Sequence, residues 1–207
     1  MIELKHITKK FDEFLCLEDV SIEIPDGSIF GLIGENGAGK STLLKLLAGI
    51  YEADAGEIII DGLKIPHGKA KEEIFYMPDN RVYKRDDTPL TVGYFYEAFY
   101  PKFAVEDYKY LLEQFGLKEN ALVTSFSKGM KKQMFLSAAF CANTKYLLCD
   151  EIFDGLDTQA RDKINKIIKD IAATGNRTIV LISHEQDQVE AICTQKGRLQ
   201  KGKLVVS

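Results

Sequence analysis

Polar and apolar positions alternate along IELKHITKKF (2–11) with the period of two that marks a strand buried on one face. SIEI (21–24) continues the pattern, and Pro25-Asp26-Gly27 is a turn signature ahead of the apolar run SIFGLIG. That succession predicts a hairpin between SIEI and SIFGLIG. Ile29 to Ile33 is apolar without alternation, as in a strand covered on both faces, and leads through GENGAGKST into the strong helix former LLKLLA (43–48). Asp54-Ala55-Gly56 and Asp61-Gly62 bracket another short strand, GEIII. The first third therefore reads as antiparallel β around a glycine-rich loop. Ile74 to Met77 is a further buried strand, stopped by Pro78, and DNRVYKRDDTP (79–89) has neither period and reads as a loop.

The texture then turns helical. Thr91 is the predicted N-cap of VGYFYEAFY, which ends at Pro101. Tyr108, Leu111, Leu112 and Phe115 recur at helical spacing, with Gly116 placed to end that helix. Residues 79–126 thus read as a small helical subdomain inserted into an α/β core formed by 1–78 and 127–207. Tyr94, Phe95, Tyr96, Phe99 and Tyr100 are expected in its core, although a partner-facing patch looks the same. Ser127 is a good N-cap for a helix running to about Ala142. Its opening turns carry Lys128, Lys131 and Lys132, against the preference for acids at a positive helix N-terminus, so either an anion binds there or the lysines point into water. A buried strand, Tyr146 to Cys149, runs into Asp150-Glu151. A helix follows with Ile164, Ile167, Ile168 and Ile171 on one face, ended by Gly175. The apolar strand Thr178 to Ile182 then delivers Ser183-His184. His67, after Pro66, is expected in an exposed loop.

Bulk composition narrows the classes. A chain of 207 residues, 45% hydrophobic and 28% charged, suits one domain or one domain with a subdomain. A formal net charge of −4 argues against a protein that coats nucleic acid. The N-terminus lacks the apolar core of a signal peptide, and no apolar run is long enough to span a bilayer, so any membrane role is expected through a partner. Cys16, Cys141, Cys149 and Cys193 are scattered without metal spacing and are expected to be reduced, mostly buried small hydrophobes of a cytosolic protein.

The chemistry concentrates at strand ends. Gly34, Asn36, Gly37, Ala38, Gly39, Lys40, Ser41 and Thr42 belong to a G-x-x-x-x-G-K-[ST] loop in the strand–turn–helix context that such a loop requires. Its glycines let backbone N–H groups turn inward onto phosphate oxygens at a helix N-terminus, Lys40 reaches the β- and γ-phosphates, and the Ser41 hydroxyl is placed for Mg²⁺. Asp150 and Glu151 leave the end of an apolar strand where such an enzyme holds its metal and activates water, and adjacent strand residues face opposite ways, so the two carboxylates have different roles. His184, at the end of another strand, is a candidate phosphate contact. Phe11 is either a packing aromatic or a platform for adenine.

Together these motifs resemble the nucleotide-binding subunit of ATP-binding-cassette (ABC) transporters over essentially the whole chain. Ser127-Lys128-Gly129-Met130-Lys131 is similar to the family's signature motif, YLLCDE (146–151) to its second phosphate motif, Gly155-Leu156-Asp157 to its D-loop and His184 to its switch histidine; Phe11 falls where the family stacks adenine. The segment with FYPKF (99–103) resembles stand-alone ATPases of bacterial drug and antibiotic exporters. The resemblance implies a P-loop NTPase, a RecA-like mostly parallel core with an N-terminal antiparallel β subdomain and a small helical subdomain. It implies a head-to-tail homodimer or heterodimer around two ATPs and Mg²⁺. Lys40 and Ser41 bind phosphate and metal, Asp150 holds Mg²⁺ through water, Glu151 is the general base, His184 meets the γ-phosphate, and Ser127 and Gly129 close the partner's site. It also implies a cytoplasmic protein, peripheral to the inner face of the cell membrane through a separately encoded permease.

Three departures stand out. Asp79 occupies the place of a family glutamine that approaches the Mg²⁺ and the attacking water. It either reaches the metal or, being shorter, falls back to face Glu151 and the γ-phosphate, the second being the expectation. Ile152 and Phe153 replace a proline and a threonine after the general base. Lys196, Gly197 and Arg198 interrupt the last strand segment, which predicts a weakened or exposed edge strand and no room for a regulatory domain. The leading reading is an ATPase powering export. The alternative is an ATP-dependent dimerisation switch with weak hydrolysis, supported by Asp79, Ile152 and Phe153. A soluble family ATPase acting on DNA or ribosomes needs a long insertion or a second cassette, and 207 residues hold neither.

Overall fold

A computed structural model describes residues 1–66, 68–184 and 186–206, so His67 lies outside the described residues. Strand β1 (Ile2–Phe11) turns at Asp12-Glu13 and pairs antiparallel with β2 (Phe14–Ile24), from Phe11 opposite Phe14 to Ile2 opposite Ile24. The other edge of β1 takes β4 (Ala55–Ile60), which in turn pairs with the short β5 (Leu63–Lys64). This four-stranded antiparallel sheet has the order β2-β1-β4-β5.

The predicted hairpin between residues 21–24 and 29–33 does not form. Strand β3 (Ile29–Ile33) leaves the first sheet at Pro25-Asp26-Gly27 and enters a second one, lying parallel between two later strands. All five of its residues are buried, which a strand open to water on one face cannot satisfy, so the turn switches sheets rather than folding back. The second sheet runs β10-β9-β3-β8-β7-β6. It contains β6 (Ile74–Met77), β7 (Tyr146–Cys149), β8 (Thr178–Ile182) and β9 (Gln195–Gln200), all parallel, with β10 (Lys203–Val206) antiparallel at the edge. The chain is thus a mixed α/β cassette of one antiparallel and one largely parallel sheet.

Nor is β9 an edge strand. It lies between β3 and β10, and its interruption by Gly197 follows from packing: a Cβ there lies 2.7 Å from the Phe30 ring and 2.9 Å from Leu204. Edge exposure falls on β10, where Val205 and Val206 face solvent.

Helix α1 (Lys40–Leu47) follows β3 directly, and the one-turn α2 (Gly68–Glu72) precedes β6. Within 79–126 lie α3 (Pro89–Phe99) and α4 (Val105–Gln114). Thr88, not Thr91, caps α3. Its hydroxyl accepts from the Thr91 N–H while the Thr91 hydroxyl accepts from the Thr88 N–H, a reciprocal box with Pro89 at the first helical position. Helix α5 (Lys128–Cys141) is capped by Ser127, whose hydroxyl accepts from the Met130 N–H at 3.2 Å. Helices α6 (Thr158–Ala173) and α7 (Gln186–Ile192) flank β8 in sequence.

Helices α3, α4 and α5 share one apolar cluster with one face of the parallel sheet; Phe75 of β6 meets the Tyr96, Tyr100 and Phe135 rings at 5.1, 5.1 and 5.8 Å. The expected aromatic core is therefore split. Tyr96 is buried and Tyr100 half-buried, but Tyr94, Phe95 and Phe99 are 49, 49 and 66% exposed. No described helix is long and apolar enough to cross a membrane. Cys16, Cys141, Cys149 and Cys193 are all free thiols; the first three are buried, and burial pushes the Cys141, Cys149 and Cys193 thiols up to about 12.

Candidate functional site

The ends of β3, β7 and β8 open on one region, as carboxyl ends of neighbouring parallel strands do. Beyond β3, the loop Gly34–Gly39 keeps left-handed backbone at Gly37 (φ 79°) and Gly39 (φ 102°), and at Gly34 a Cβ meets the Leu199 carbonyl at 2.3 Å. Gly39 offers α1 no side-chain cap, which leaves the first-turn N–H groups open to an anion. The Lys40 ammonium is buried and donates to the Gly34 and Glu35 carbonyls at 2.8 and 3.0 Å. None of the ion pairs among the described residues involves it, so its full charge faces the loop. Asn36, Gly37 and Ser41 are exposed, while Ala38 and Thr42 are partly covered.

The Ser41 hydroxyl donates to Asp150 Oδ1 at 3.1 Å, joining the phosphate loop to the end of β7. Asp150 is only 4% exposed. Burial raises its pKa above the ordinary carboxylate value, Ser41 opposes the rise, and Glu151 and Asp79 add to it. A buried carboxylate short of positive charge, beside a hydroxyl oxygen, is a hard-oxygen pair suited to Mg²⁺, which takes one or two protein ligands and keeps water and substrate oxygens for the rest.

Glu151 holds a left-handed backbone at φ 50°, uncommon for a residue with a side chain. Its carboxylate meets His184 Nδ1 at 2.9 Å, so the ends of β7 and β8 are joined side chain to side chain. Ile152 and Phe153, the residues that depart from the family, are fully buried in the cluster beneath the sheet. Their apolar side chains anchor the turn after Glu151.

Of the lysines at the start of α5, Lys132 does not point into water, whereas Lys128 is exposed. Lys132 is buried and pairs with Asp79 Oδ1 at 3.2 Å, and Lys128 pairs with Asp154. Two of the three thus have a carboxylate of their own chain as partner, Lys132 in the interior and Lys128 at the surface. The Asp79 carboxylate is held by Lys132 at 3.2 Å and makes no hydrogen bond to Ser41 or Asp150 among the described residues, although its charge acts on Asp150.

Phe11 is 40% exposed at the tip of the β1–β2 hairpin, edge-on to Tyr51 with ring centres 5.5 Å apart. Ser127 is exposed and Gly129 half-buried; both line a cleft of about 370 Å³ with Gly155 and Asp157. These residues stand apart from the phosphate loop, Asp150, Glu151 and His184, with which they share no hydrogen bond among the described residues.

Two side chains escape sequence reasoning. The Tyr76 hydroxyl is buried without a hydrogen-bond partner among the described residues, and burial followed by the nearby Asp150 charge pushes its pKa up. The Arg81 guanidinium lies 4.9 to 5.6 Å from the centres of the Tyr96, Phe135, Phe95 and Tyr83 rings. Neither has a local signal: one is a tyrosine in an apolar strand, the other an arginine in a segment without period.

Comparison with known proteins gives a consistent result. The profile of the family described as "ABC transporter" matches residues 17–154. The chain is 35% identical over 205 residues to the ABC transporter ATP-binding protein YtrB of Bacillus subtilis, covering 99% of this chain and 70% of that protein. It is 32% identical over 223 residues to the methionine import ATP-binding protein MetN of Desulfitobacterium hafniense, and there it spans 64% of the relative's length. A solved structure described as the ATP-binding subunit of an ABC transporter superposes with TM-score 0.91 at 27% identity, covering 100% of this chain and 89% of that one. A dimeric ATP-binding cassette described in a post-hydrolysis state with ADP and Pi shares the fold, with TM-score 0.85 at 21% identity, covering 99% and 96%.

Proposed function

The chain belongs to the ABC transporter ATP-binding family, a family of ATPases, and from that premise we propose that it binds and hydrolyses ATP to drive transport through a separately encoded membrane permease. The observation that carries the proposal is the convergence at three parallel strand ends: a phosphate loop with a buried lysine, the Ser41–Asp150 contact at 3.1 Å and the Glu151–His184 contact at 2.9 Å.

In this reading the triphosphate lies along Gly34–Thr42, held by the loop N–H groups, the first turn of α1 and Lys40, with adenine against Phe11. Ser41 and Asp150 hold Mg²⁺, which when bound neutralises charge on the phosphate oxygens. Glu151 accepts a proton from water as the water oxygen bonds to the γ-phosphorus and the bond from that phosphorus to the β–γ bridging oxygen breaks. His184 orients the Glu151 carboxylate and contacts the γ-phosphate. Asp79 is left out of the metal set because Lys132 already holds its carboxylate. Ser127 and Gly129 complete the site of a second copy or of a related cassette, which explains why they stand apart from this chain's own phosphate loop. The helical segment 79–126 faces the permease, and the exposed Tyr94, Phe95 and Phe99 support that orientation. Export rests on FYPKF (99–103) alone; the methionine relatives carry import in their names, so transport in right-side-out against inverted vesicles is the measurement that assigns direction.

Glu151→Gln tests the mechanism. It keeps the acceptor oxygen toward His184 but removes the base, and turnover is expected to fall by about 10² to 10⁴. ATP then stays trapped between two chains, giving a species of doubled mass on size exclusion. Turnover near that of the native chain rejects the assignment of the base and favours a different activating group.

A further inference from the structure

Lys132 is one of few charged side chains in the interior, with its side chain 3% exposed. Its Nζ donates to the Glu151 carbonyl at 2.9 Å, to Asp79 Oδ1 at 3.2 Å and to the Asp79 carbonyl at 3.4 Å. One ammonium therefore ties together three separate segments: the chain leaving β6, the first turns of α5 and the turn after β7. A lysine is placed in such a position at the cost of desolvation, so the contacts it makes there have to be specific.

Glu151 shows what the contact does. Its left-handed backbone directs the carbonyl inward to Lys132 and the side chain outward to His184. The same peptide unit is otherwise held by two long backbone hydrogen bonds, from the Ile152 N–H to the Ile182 carbonyl at 3.2 Å and from the Asp154 N–H to the Glu151 carbonyl at 3.3 Å. Without Lys132 the Glu151 carbonyl keeps only the longer 3.3 Å hydrogen bond from the Asp154 N–H, and an extended backbone becomes the lower-energy choice for a residue with a Cβ. Such a flip re-aims the carboxylate.

We infer that Lys132, kept in place by Asp79, is a positioning residue for Glu151: it fixes the backbone of the general base and links it to the helix whose N-terminus carries Ser127 and Gly129. The inference rests on the reading of Glu151 given above. It also accounts for Asp79, whose departure from glutamine supplies the counter-charge that a buried lysine needs. The pair is asymmetric. Asp79 is 30% exposed and can rehydrate if left alone, whereas Lys132 cannot.

The test uses the full chain with three variants: Lys132→Met, the doubly neutral Asp79→Asn/Lys132→Met, and Glu151→Gln as reference. Lys132→Met keeps the length of the side chain and removes its charge. Its kcat is expected to fall about ten- to a hundredfold, the scale on which small misplacements of a reacting group act, with KM for ATP within threefold. Hydrogen exchange in a peptide covering 150–156 is expected to quicken about tenfold, with exchange in the phosphate-loop peptide unchanged. A merely structural role lowers the melting temperature without that local and kcat-selective pattern. Should the single variant fail to fold, the double variant, which buries no unpaired charge, is expected to fold with the same low kcat and fast exchange. Native kcat and native exchange in the variant that folds overturn the inference. Loss of kcat in Glu151→Gln alongside native Lys132→Met sinks the positioning role alone, whereas native turnover in Glu151→Gln sinks the assignment of the base beneath it.

Discussion

Gly129→Ala is a small change with a computable consequence. A Cβ built on Gly129 lies 2.5 Å from the Gly155 carbonyl oxygen. Ordinary C···O approach is about 3.3 Å, so roughly 0.8 Å has to open between the start of α5 and the turn that carries Gly155. Both sides of the contact are backbone. Gly155 is itself left-handed at φ 78°, and behind it packs Lys128, which is tied to Asp154, so neither side yields cheaply. Overpacking of this kind costs about 1–3 kcal/mol, and about 2 kcal/mol in a chain of this size corresponds to a fall in Tm of about 4–8 °C. Turnover is expected to fall further than stability predicts, by more than about tenfold, because the displaced helix carries Ser127 and reaches Glu151 through Lys132. Gly37→Ala is the contrast. Gly37 is also left-handed, at φ 79°, but no atom of the chain lies within 4 Å of its would-be Cβ. Its cost is the backbone term alone, about 1–2 kcal/mol, and its effect belongs to nucleotide affinity. Thermal unfolding, nucleotide titration and steady-state ATPase on both variants decide the matter. A Gly129→Ala chain with native Tm and native turnover refutes the argument that these two backbones are in rigid contact.

Mixing Lys40→Ala chains with Ser127→Arg chains is expected to restore activity absent from either variant alone, as one interface then has both halves intact; half-native activity in each variant by itself defeats the shared-site reading. Phe11→Ala is expected to weaken ATP binding about five- to a hundredfold, the range for loss of one base–aromatic stack, while leaving tripolyphosphate binding unchanged, and equal weakening of both ligands assigns Phe11 to packing. At the opposite end of β7, burial pushes the Asp61 carboxyl up, but hydrogen bonds from Lys145, Tyr146 and the amino group of Met1 outweigh it and bring it down to about 2. A carboxyl depressed in the folded state stabilises above its unfolded value near 3.8 and loses that contribution as pH falls toward 2. Asp61→Asn is therefore expected to lower stability at neutral pH by roughly 1 kcal/mol, after allowing for solvent screening of a side chain 38% exposed, and to flatten the pH dependence of unfolding between about 4 and 2; an unchanged acid limb counts against the cluster.

How much of this molecule is legible in the sequence depends on the range of the interaction that decides each feature. The phosphate loop is fully legible, since its glycines, lysine and serine act within a few residues of one another between an apolar strand and a helix. The split into two sheets is not, although Pro25-Asp26-Gly27 is read correctly as a turn. A turn dictates a reversal of local backbone and says nothing of which strand the next one joins. The information lay one step further on, in the contrast between alternating β2 and the unbroken apolar run of β3. Only a strand covered on both faces needs that run, and an antiparallel hairpin on the first sheet cannot cover both. Gly197 misleads for the complementary reason. It looks like a weak point in a strand until the Phe30 ring is seen to occupy the space of its side chain.

The carboxylates at the strand ends follow the same logic. Asp150 and Glu151 are recognisable as two carboxylates leaving an apolar strand, and the structure gives each its own partner, Ser41 and His184. The strand ends at Cys149, however, so the left-handed backbone of Glu151 rather than strand pleating separates them. What stays hidden is the support behind them. A lysine in the first turns of a helix is read as solvated or as a contact for a bound anion, and an aspartate in place of glutamine is read as a surplus negative charge beside another. Each judgement is sound for an isolated residue and wrong for the pair, because Asp79 and Lys132 are 53 positions apart and cancel only in three dimensions. The two charges explain each other: a buried ammonium needs a carboxylate, and the ammonium offsets the negative charge of that carboxylate near Glu151. Two charges that are each unfavourable alone and favourable together are the pattern expected of supporting contacts that are specified as a pair.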